Sequence, residues 1–311
     1  MITVSAREKG IGARRSPERA RSSRPHTRRE WQAYLFVAPA LVVLALMLLI
    51  PALTSLGFSF TDVSFLGPTH FTGLGNYRAL WHDALFRQAL FNTAYYTVGT
   101  TVPTLVLGLL AAVALNAKFR GRSLLRALFY LPVLTSIVAA AVVWLYLYDP
   151  QQGLINGLLV HLGIPRPTWL QSPSTAMPSL IVMAVWREFG SAMLLYLAGL
   201  QGIPGELYEA ARLDGAGRFR ILTRITVPML RPVTYYLVVM TVVGSFQVFG
   251  SIYVMTKGGP VGSTTTVVYD MYQNAFTFSK IGYASAMSTV LFVVILCFSL
   301  AGARLLRTED R

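Results

Sequence analysis

Charged side chains interrupt one of the long apolar runs of this sequence. Arg187 and Glu188 lie near the middle of Met177–Leu200, where a central charge in a membrane helix costs roughly 2.5–3.5 kcal/mol. In a helix both residues approach Ser191, at spacings of four and three, and the three form a polar strip. Because successive helix positions diverge by about 100°, we do not expect Arg187 and Glu188 to stack over each other.

A second set of polar and small residues recurs in the later apolar run Val233–Met255. Thr241, Ser245 and Val248 share one face of a helix, with Gly244 beside them. Polar and charged residues inside membrane helices are expected to face a cavity or partner side chains. The alternative is that the charged residues form a structural pair between helices and that the hydroxyls bond to backbone carbonyls.

A polar loop with a distinctive spacing separates these two runs. It contains EAARLDGAGRFRILTRITVP, residues 209–228. Good helix formers with acids near their start predict a short helix before Gly215, and RFRILTRI resumes a helical pattern after it. Ala210 and Ala211 are small enough for another backbone to approach closely. We therefore predict two short helices joined by a glycine turn, although composition alone does not distinguish this loop from an ordinary basic one.

The residues of a reaction centre are missing from the sequence. The four histidines are scattered without metal-ligand spacing, and Cys297 is the only cysteine. The phosphate-binding pattern GxxxxGK[ST] is absent, because none of the four lysines follows a glycine. We expect a chain that is not an enzyme and holds no metal or cofactor; if ATP and Mg are used, another chain binds them.

The composition predicts an integral membrane protein. Of the 311 residues, 54% are hydrophobic and only 13% are charged, against about 25% charged in soluble domains. The mean hydropathy is +0.53. The net charge of +14 does not indicate nucleic-acid binding, because the basic residues interrupt apolar runs instead of forming one stripe with interleaved aromatics.

Six apolar runs of about 20 residues or more predict an all-α protein with six transmembrane helices. They are Tyr34–Phe58, Asn92–Leu115, Ala127–Tyr148, Met177–Leu200, Val233–Met255 and Tyr283–Ala303. The tails and alternate loops on one side carry 21 Lys and Arg residues, and the opposite loops carry five. By the positive-inside rule, both termini and the polar loop are cytoplasmic.

These elements predict the domain organisation. Residues 1–32 form a basic tail that cannot bury a core and is disordered in water. Residues 33–303 form the six-helix domain, which contains the polar loop 202–231, and residues 304–311 form a C-terminal cytoplasmic tail. In an outer connection, the apolar spacing of residues 73–90 predicts a short helix at the membrane interface.

The spacing of the polar loop 202–231 resembles that of a known family, whose corresponding loop has a coupling role, and this segment is called the coupling loop below. Glu209-Ala210-Ala211, then Gly215, then Ile225-x-Val227-Pro228 is similar to the EAA loop of the permease subunits of bacterial binding-protein-dependent ABC importers. LAGLQGIPGELYEAARLDGAG, FQVFGSIYVMTKGGP and GYASAM look like landmarks of the maltose-type larger-subunit carbohydrate permeases. Val227 stands where that family usually has leucine.

The resemblance implies a type I ABC importer permease fold in the cell membrane, whose EAA loop docks in a cleft of a cytoplasmic ATPase. It assigns ATPase coupling to Glu206, Glu209, Ala210, Ala211, Asp214, Gly215, Ala216, Arg218, Phe219 and Pro228. It places the solute pathway at Arg187, Glu188, Ser191, Thr241, Gly244, Ser245 and Val248.

The resemblance also implies partners and a substrate class. The expected partners are a second homologous permease, two ATPase subunits, an extracytoplasmic solute-binding protein and the lipid bilayer. The expected solute is a sugar or a sugar-like molecule. Two alternatives remain: a non-sugar solute such as glycerol phosphate, and a membrane receptor or scaffold that uses the loop only for docking.

Overall fold

The computed structural model describes residues 27–65 and 67–309, with side chains described for 34–65 and 67–302. Within these residues the regular secondary structure is helical, apart from one isolated antiparallel bridge between Thr61 and Phe71. The predicted all-α class is confirmed. Most of the predicted basic tail lies outside the described residues. The first helix begins at Thr27, and the last continues through the predicted C-terminal tail to Glu309.

Two compact units divide the chain, Met1–Ala52 and Leu53–Arg311. In the first unit, the helix Thr27–Leu44 contains Pro39 and continues into the π-helical turn Ala45–Leu49. Its large apolar side chains are exposed, including Leu35, Phe36 and Met47. An apolar surface of this extent suits lipid or another membrane helix.

Five helices in the described part of the chain are long and apolar enough to cross a membrane. They are the first span Tyr34–Phe58, the second Ala84–Asn116, the fourth Pro173–Gln201, the fifth Arg231–Met255 and the sixth Ile281–Gly302. The count reaches six when the segments Arg122–Leu134 and Ile137–Leu147, called the bent pair, are taken as one span.

The third predicted span, Ala127–Tyr148, is not one continuous helix. The two segments of the bent pair meet at 100°. The first ends in a 3₁₀ turn that contains Pro132, and the extended backbone of Thr135 and Ser136 follows it. Proline lacks the N–H that would continue the helix, and the Thr135 hydroxyl donates to the Pro132 carbonyl at 2.6 Å. Hydropathy carries no signal of such a break.

The second span is longer than predicted because a cap defines its start. Asp83 Oδ1 accepts from the backbone N–H groups of Leu85 and Phe86, at 2.8 and 3.4 Å, which satisfies donors that a helix N-terminus leaves unpaired. The predicted interfacial helix over residues 73–90 is therefore two elements. They are the short helix Gly75–His82 and the first turns of the second span.

The second and fourth spans pack closely along their lengths. A Cβ added to Gly108 would lie 2.7 Å from the Ala192 Cβ, and one added to Gly99 would lie 2.6 Å from the Ile181 Cδ1. Small residues permit this approach in membrane helices. The second span also presents a buried row of threonines: Thr93, Thr97, Thr100, Thr101 and Thr104.

The fifth span is interrupted and its following connection is ordered. The helix Arg231–Phe246 ends before Gln247–Phe249, and Gly250–Met255 is a separate short helix. Two short elements follow it: the helix Val267–Tyr272 and the π-helical turn Gln273–Thr277. Asn92 of the second span donates to the carbonyls of Gly262 and Thr265, at 3.0 and 2.9 Å, and fixes this connection.

Candidate solute pathway and coupling loop

A cavity of about 520 Å³ lies between the second, fourth and fifth spans and the second segment of the bent pair. The structure brings all seven residues of the predicted pathway to its wall: Arg187, Glu188, Ser191, Thr241, Gly244, Ser245 and Val248. Helical spacing positions each group of residues, because those three and four apart share one face. The two polar sets predicted separately thus face a single space.

Further polar residues line the cavity that sequence reasoning missed. The break in the fifth span brings Gln247 and Ser251 to the wall, and the second span contributes Tyr96, Thr100 and Thr104. The spacing of Thr97, Thr100, Thr101 and Thr104 at three and four residues was a readable signal of a polar helix face. The break between Phe246 and Gly250 left no comparable pattern.

Arg187 and Glu188 form an ion pair, a contact that their angular separation along the helix did not predict. The Arg187 Nη1 donates to the Glu188 Oε1. The long side chain of arginine reaches across the 100° between neighbouring positions, which backbone geometry alone does not allow for. The two are the only charged residues of the cavity wall, so the charge of this described wall is balanced.

The pair keeps unused hydrogen-bonding capacity. A guanidinium has five N–H donors and a carboxylate accepts at two oxygens, so one bond between them leaves donors and acceptors available. The Arg187 Nε is buried and has no partner among the described residues. The side chains are 25% and 45% exposed. Arg187 and Glu188 therefore place hydrogen-bond donors and acceptors side by side on the cavity wall.

The hydroxyl groups of the wall are partly engaged. Thr241 donates to the Leu237 carbonyl at 2.7 Å, as in the structural alternative. Ser245 instead meets the Thr100 hydroxyl of the second span at 2.9 Å. A hydroxyl that donates still has lone pairs to accept with. The cavity wall can therefore both donate hydrogen bonds to a solute and accept them from it.

The coupling loop has the predicted helix–turn–helix form. The helix Gly205–Leu213 is followed by Arg218–Ile221, which continues through a π-helical turn to Thr226. Gly215 has φ 73°, in the left-handed region, so the predicted turn conformation is confirmed. The Ala216 N–H donates to the Ala211 carbonyl at 2.9 Å and the Gly215 N–H to the Arg212 carbonyl at 3.1 Å. These two bonds form a Schellman C-cap.

The coupling loop exposes large apolar side chains together with charged ones of both signs. Leu213 is 89% exposed and Phe219 is 78% exposed. Glu209 is exposed, and no ion pair within 4.0 Å joins it to Arg212 among the described side chains. Exposed large apolar side chains beside an unpaired carboxylate are typical of a docking surface.

Comparisons with known proteins agree with this geometry. Residues 104–308 match the family described as "Binding-protein-dependent transport system inner membrane component". The chain is 39% identical over 280 residues to YurN of Bacillus subtilis, a probable ABC transporter permease, covering 88% of this chain and 96% of that protein. It is 34% identical to the arabinooligosaccharides transport system permease AraP of Bacillus subtilis, covering 88% and 87%.

Other relatives have different named solutes. The sn-glycerol-3-phosphate transport system permease UgpA of Escherichia coli is 33% identical over 294 residues, covering 93% of this chain and 99% of that protein. Among solved structures, a bacterial ABC transporter involved in the import of the acidic polysaccharide alginate matches with a TM-score of 0.80 and 25% identity, covering 91% and 98%. The chain therefore belongs to the family of binding-protein-dependent transport system inner membrane components, the permease subunits of ABC importers, which are not enzymes themselves.

Proposed function

We propose that this permease contributes one wall of the pathway for an uncharged sugar or oligosaccharide. The observation that carries the proposal is the charge-balanced, hydroxyl-bearing cavity built around the Arg187–Glu188 pair. Neighbouring hydroxyls of a sugar both donate and accept, so one can accept from Arg187 while the next donates to Glu188. The named solute of AraP, arabinooligosaccharides, supports this class.

Glycerol phosphate is the second candidate, because UgpA is about as similar as AraP. A phosphate would take the guanidinium of Arg187 but would also face the carboxylate of Glu188. Like charges close together in a partly desolvated site repel each other, and this counts against an anion. We therefore favour the neutral solute.

The coupling loop is proposed to dock on a cytoplasmic ATPase and to transmit its closure to the spans. The residues assigned to this role lie on its two short helices and on the turn between them. The partners of the proposal are a second permease, two ATPase subunits and an extracytoplasmic binding protein. The orientation follows from the 21 basic residues on one side and five on the other, so both termini are assigned to the cytoplasm and the chain to the cytoplasmic membrane.

The experiment is uptake by the complete importer in proteoliposomes. A thermal-shift screen of the binding protein against sugars, polyols and sn-glycerol 3-phosphate selects the probe, and ATP-dependent uptake of that probe is then measured. We expect a neutral sugar to stabilise the binding protein and to be taken up. Glu188→Gln frees the charge of Arg187, so uptake of the neutral sugar should fall by about tenfold, a loss equivalent to roughly 1.4 kcal/mol.

The matched control is the double variant Arg187→Gln/Glu188→Gln, which keeps the wall neutral and removes the paired donor and acceptor. It should also lose uptake of the neutral sugar, and assembly of each variant is checked by size-exclusion chromatography. Stronger uptake of glycerol phosphate than of any sugar by the unmodified importer would assign the anionic solute instead. Complete absence of ATP-dependent uptake would favour a receptor or scaffold.

A further inference from the structure

A second cavity, of about 590 Å³, lies away from the solute pathway. It is formed by the connection after the first span, the short helix Gly75–His82 and the segment from Asp270 to Tyr283. Three carboxylates and one ammonium line it: Asp62, Asp83, Asp270 and Lys280. These segments belong to the loops with few basic residues, which the charge distribution assigns to the extracytoplasmic side.

The walls of this cavity are held in place by bonds between distant parts of the chain. The Tyr283 hydroxyl donates to the Asp83 Oδ2 at 2.6 Å. The Gly282 N–H donates to the Val63 carbonyl at 3.1 Å, and the Asn76 amide donates to the Thr61 carbonyl at 2.8 Å. A site whose walls are fixed in advance loses little entropy when it binds a ligand.

Two of the three carboxylates already have full sets of partners. Asp62 accepts from the backbone N–H of His70 and lies 3.1 Å from its ring Nδ1. One oxygen of Asp83 caps the second span and the other accepts from Tyr283. Neither group therefore requires a further ligand.

Asp270 differs from the other two carboxylates. It is only 7% exposed, and the side-chain amide of Asn274 donates to its Oδ1 at 3.0 Å. Its Oδ2 is buried without a hydrogen-bond partner among the described residues. Burial, and after it the charge of Asp83, raises the pKa of Asp270 to about 6. At neutral pH the carboxyl is thus mostly ionised, with one oxygen unsatisfied, an arrangement that is costly unless a cation completes it.

The lysine of the same cavity does not supply that cation. Lys280 is exposed, and no ion pair within 4.0 Å joins it to a carboxylate in the described part of the chain. A metal ion is also a poor occupant, because the described residues contain no group of three His, Cys, Asp or Glu side chains able to hold one. The cavity instead suits one ammonium or guanidinium group that arrives on a side chain.

We infer that this cavity receives a lysine or arginine side chain of the extracytoplasmic binding protein, with Asp270 as its counter-ion. The inference rests on the proposed function, which supplies such a partner on this side of the membrane. A single buried ion pair of this kind fixes the orientation of a docked protein, because the wrong orientation leaves the charge unpaired. Asp270 would then select the docking pose without touching the solute.

The test measures binding of the solute-loaded binding protein to the complete importer in lipid nanodiscs by biolayer interferometry. Asp270→Asn keeps the shape of the side chain and removes its charge. We expect the dissociation constant to rise at least about tenfold and its dependence on NaCl to become shallower, because one ion pair is lost. The matched control is Lys280→Gln, which removes the one ammonium group that lines this cavity and should not weaken binding.

A double-mutant cycle identifies the partner residue. Lysines and arginines on the binding protein are replaced by glutamine one at a time, and the predicted partner is the residue whose loss weakens binding to the unmodified importer but not to Asp270→Asn. Equal dissociation constants for Asp270→Asn and the unmodified importer would overturn this inference and leave the proposed function standing. If Lys280→Gln weakened binding as much as Asp270→Asn does, the counter-ion of Asp270 would be Lys280 of the same chain. That result would also overturn the inference. If the binding protein does not bind the unmodified importer at all, the proposed function fails with it.

Discussion

Gly190 of the fourth span lies directly against the backbone of Phe129 in the bent pair. A Cβ added at Gly190 would overlap the Phe129 carbonyl oxygen and would stand 3.0 Å from its carbonyl carbon and 3.1 Å from the Tyr130 Cα. Backbone atoms cannot rotate away as the end of a side chain can. This contact brings the bent pair against the helix that carries Arg187 and Glu188, three and two residues before Gly190.

We predict that Gly190→Ala destabilises the permease by about 1–3 kcal/mol, the usual cost of overpacking a close contact. Melting temperature and the monodisperse fraction on size-exclusion chromatography measure the effect. Gly157→Ala is the matched control, because a Cβ there meets nothing within 4 Å. Equal melting temperatures for the two variants would show that the bent pair does not rest on Gly190.

The turn of the coupling loop favours glycine at position 215 because of the backbone conformation there, and not because a side chain would lack room. A Cβ at Gly215 meets no atom within 4 Å, yet its φ of 73° is one that side chains disfavour. Valine at this position should misorient the two short helices, whereas asparagine, which tolerates the left-handed region, should largely preserve them. We predict that Gly215→Val loses solute-stimulated ATP hydrolysis at least about tenfold, and that Gly215→Asn retains most of it.

A neighbouring glycine provides the control for this prediction. Gly217 has φ −70° and also has open space around its Cβ position. Gly217→Ala should therefore leave stimulated hydrolysis close to that of the unmodified importer. The same loss in Gly217→Ala and Gly215→Val would show that the loop tolerates no side chain at either position, and the conformational explanation would be abandoned.

The exposed carboxylate of Glu209 is predicted to contact the ATPase. Because Glu209 makes no ion pair with Arg212 in the described structure, charge reversal removes no bond within the loop. Repulsion in a protein interface can nevertheless cost several kcal/mol. Glu209→Lys should insert normally and lose co-purification of the ATPase, while Arg212→Gln serves as the charge control. Full co-purification of the ATPase with Glu209→Lys would remove Glu209 from the interface.

Elements defined by local periodicity were predictable from the sequence. The first span, the helices on either side of Gly215 and the polar face of Thr241 and Ser245 follow from hydropathy, turn chemistry and helical spacing. Pro132 indicates a kink or a helix end in the third apolar run, but neither it nor the hydropathy predicts a bend of 100°.

Three contacts that were not predicted depend on distance in sequence or on side-chain flexibility. The bond between Thr100 and Ser245 joins residues 145 apart, and that between Asp83 and Tyr283 joins residues 200 apart. No local pattern reports such pairs. The ion pair of Arg187 with Glu188 was not predicted, because the argument from backbone angles concerned stacking alone and did not consider the reach of the arginine side chain.

The buried carboxyl of Asp270 makes stability depend on pH in a defined direction. Its pKa rises from 3.8 in a solvated chain to about 6 in the fold, so the folded state favours the protonated form. This contribution is most favourable below about pH 4, is lost progressively as the pH rises to about 6, and stays lost above that value. Asp62 behaves in the opposite way, because hydrogen bonds from His70 lower its pKa.

Asp270→Asn mimics the protonated carboxyl at every pH and leaves Asp62 unchanged, so comparing the two proteins isolates Asp270. We predict that the variant melts roughly 2–4 °C higher than the unmodified permease at pH 7.5, in the absence of binding protein. The difference should shrink between pH 6 and 4 and disappear near pH 4. Melting curves of the purified complex across this range measure it. The prediction fails if the variant is less stable at pH 7.5 or if the difference in melting temperature does not change with pH. Either result would show that the ionised Asp270 already has a partner within the permease.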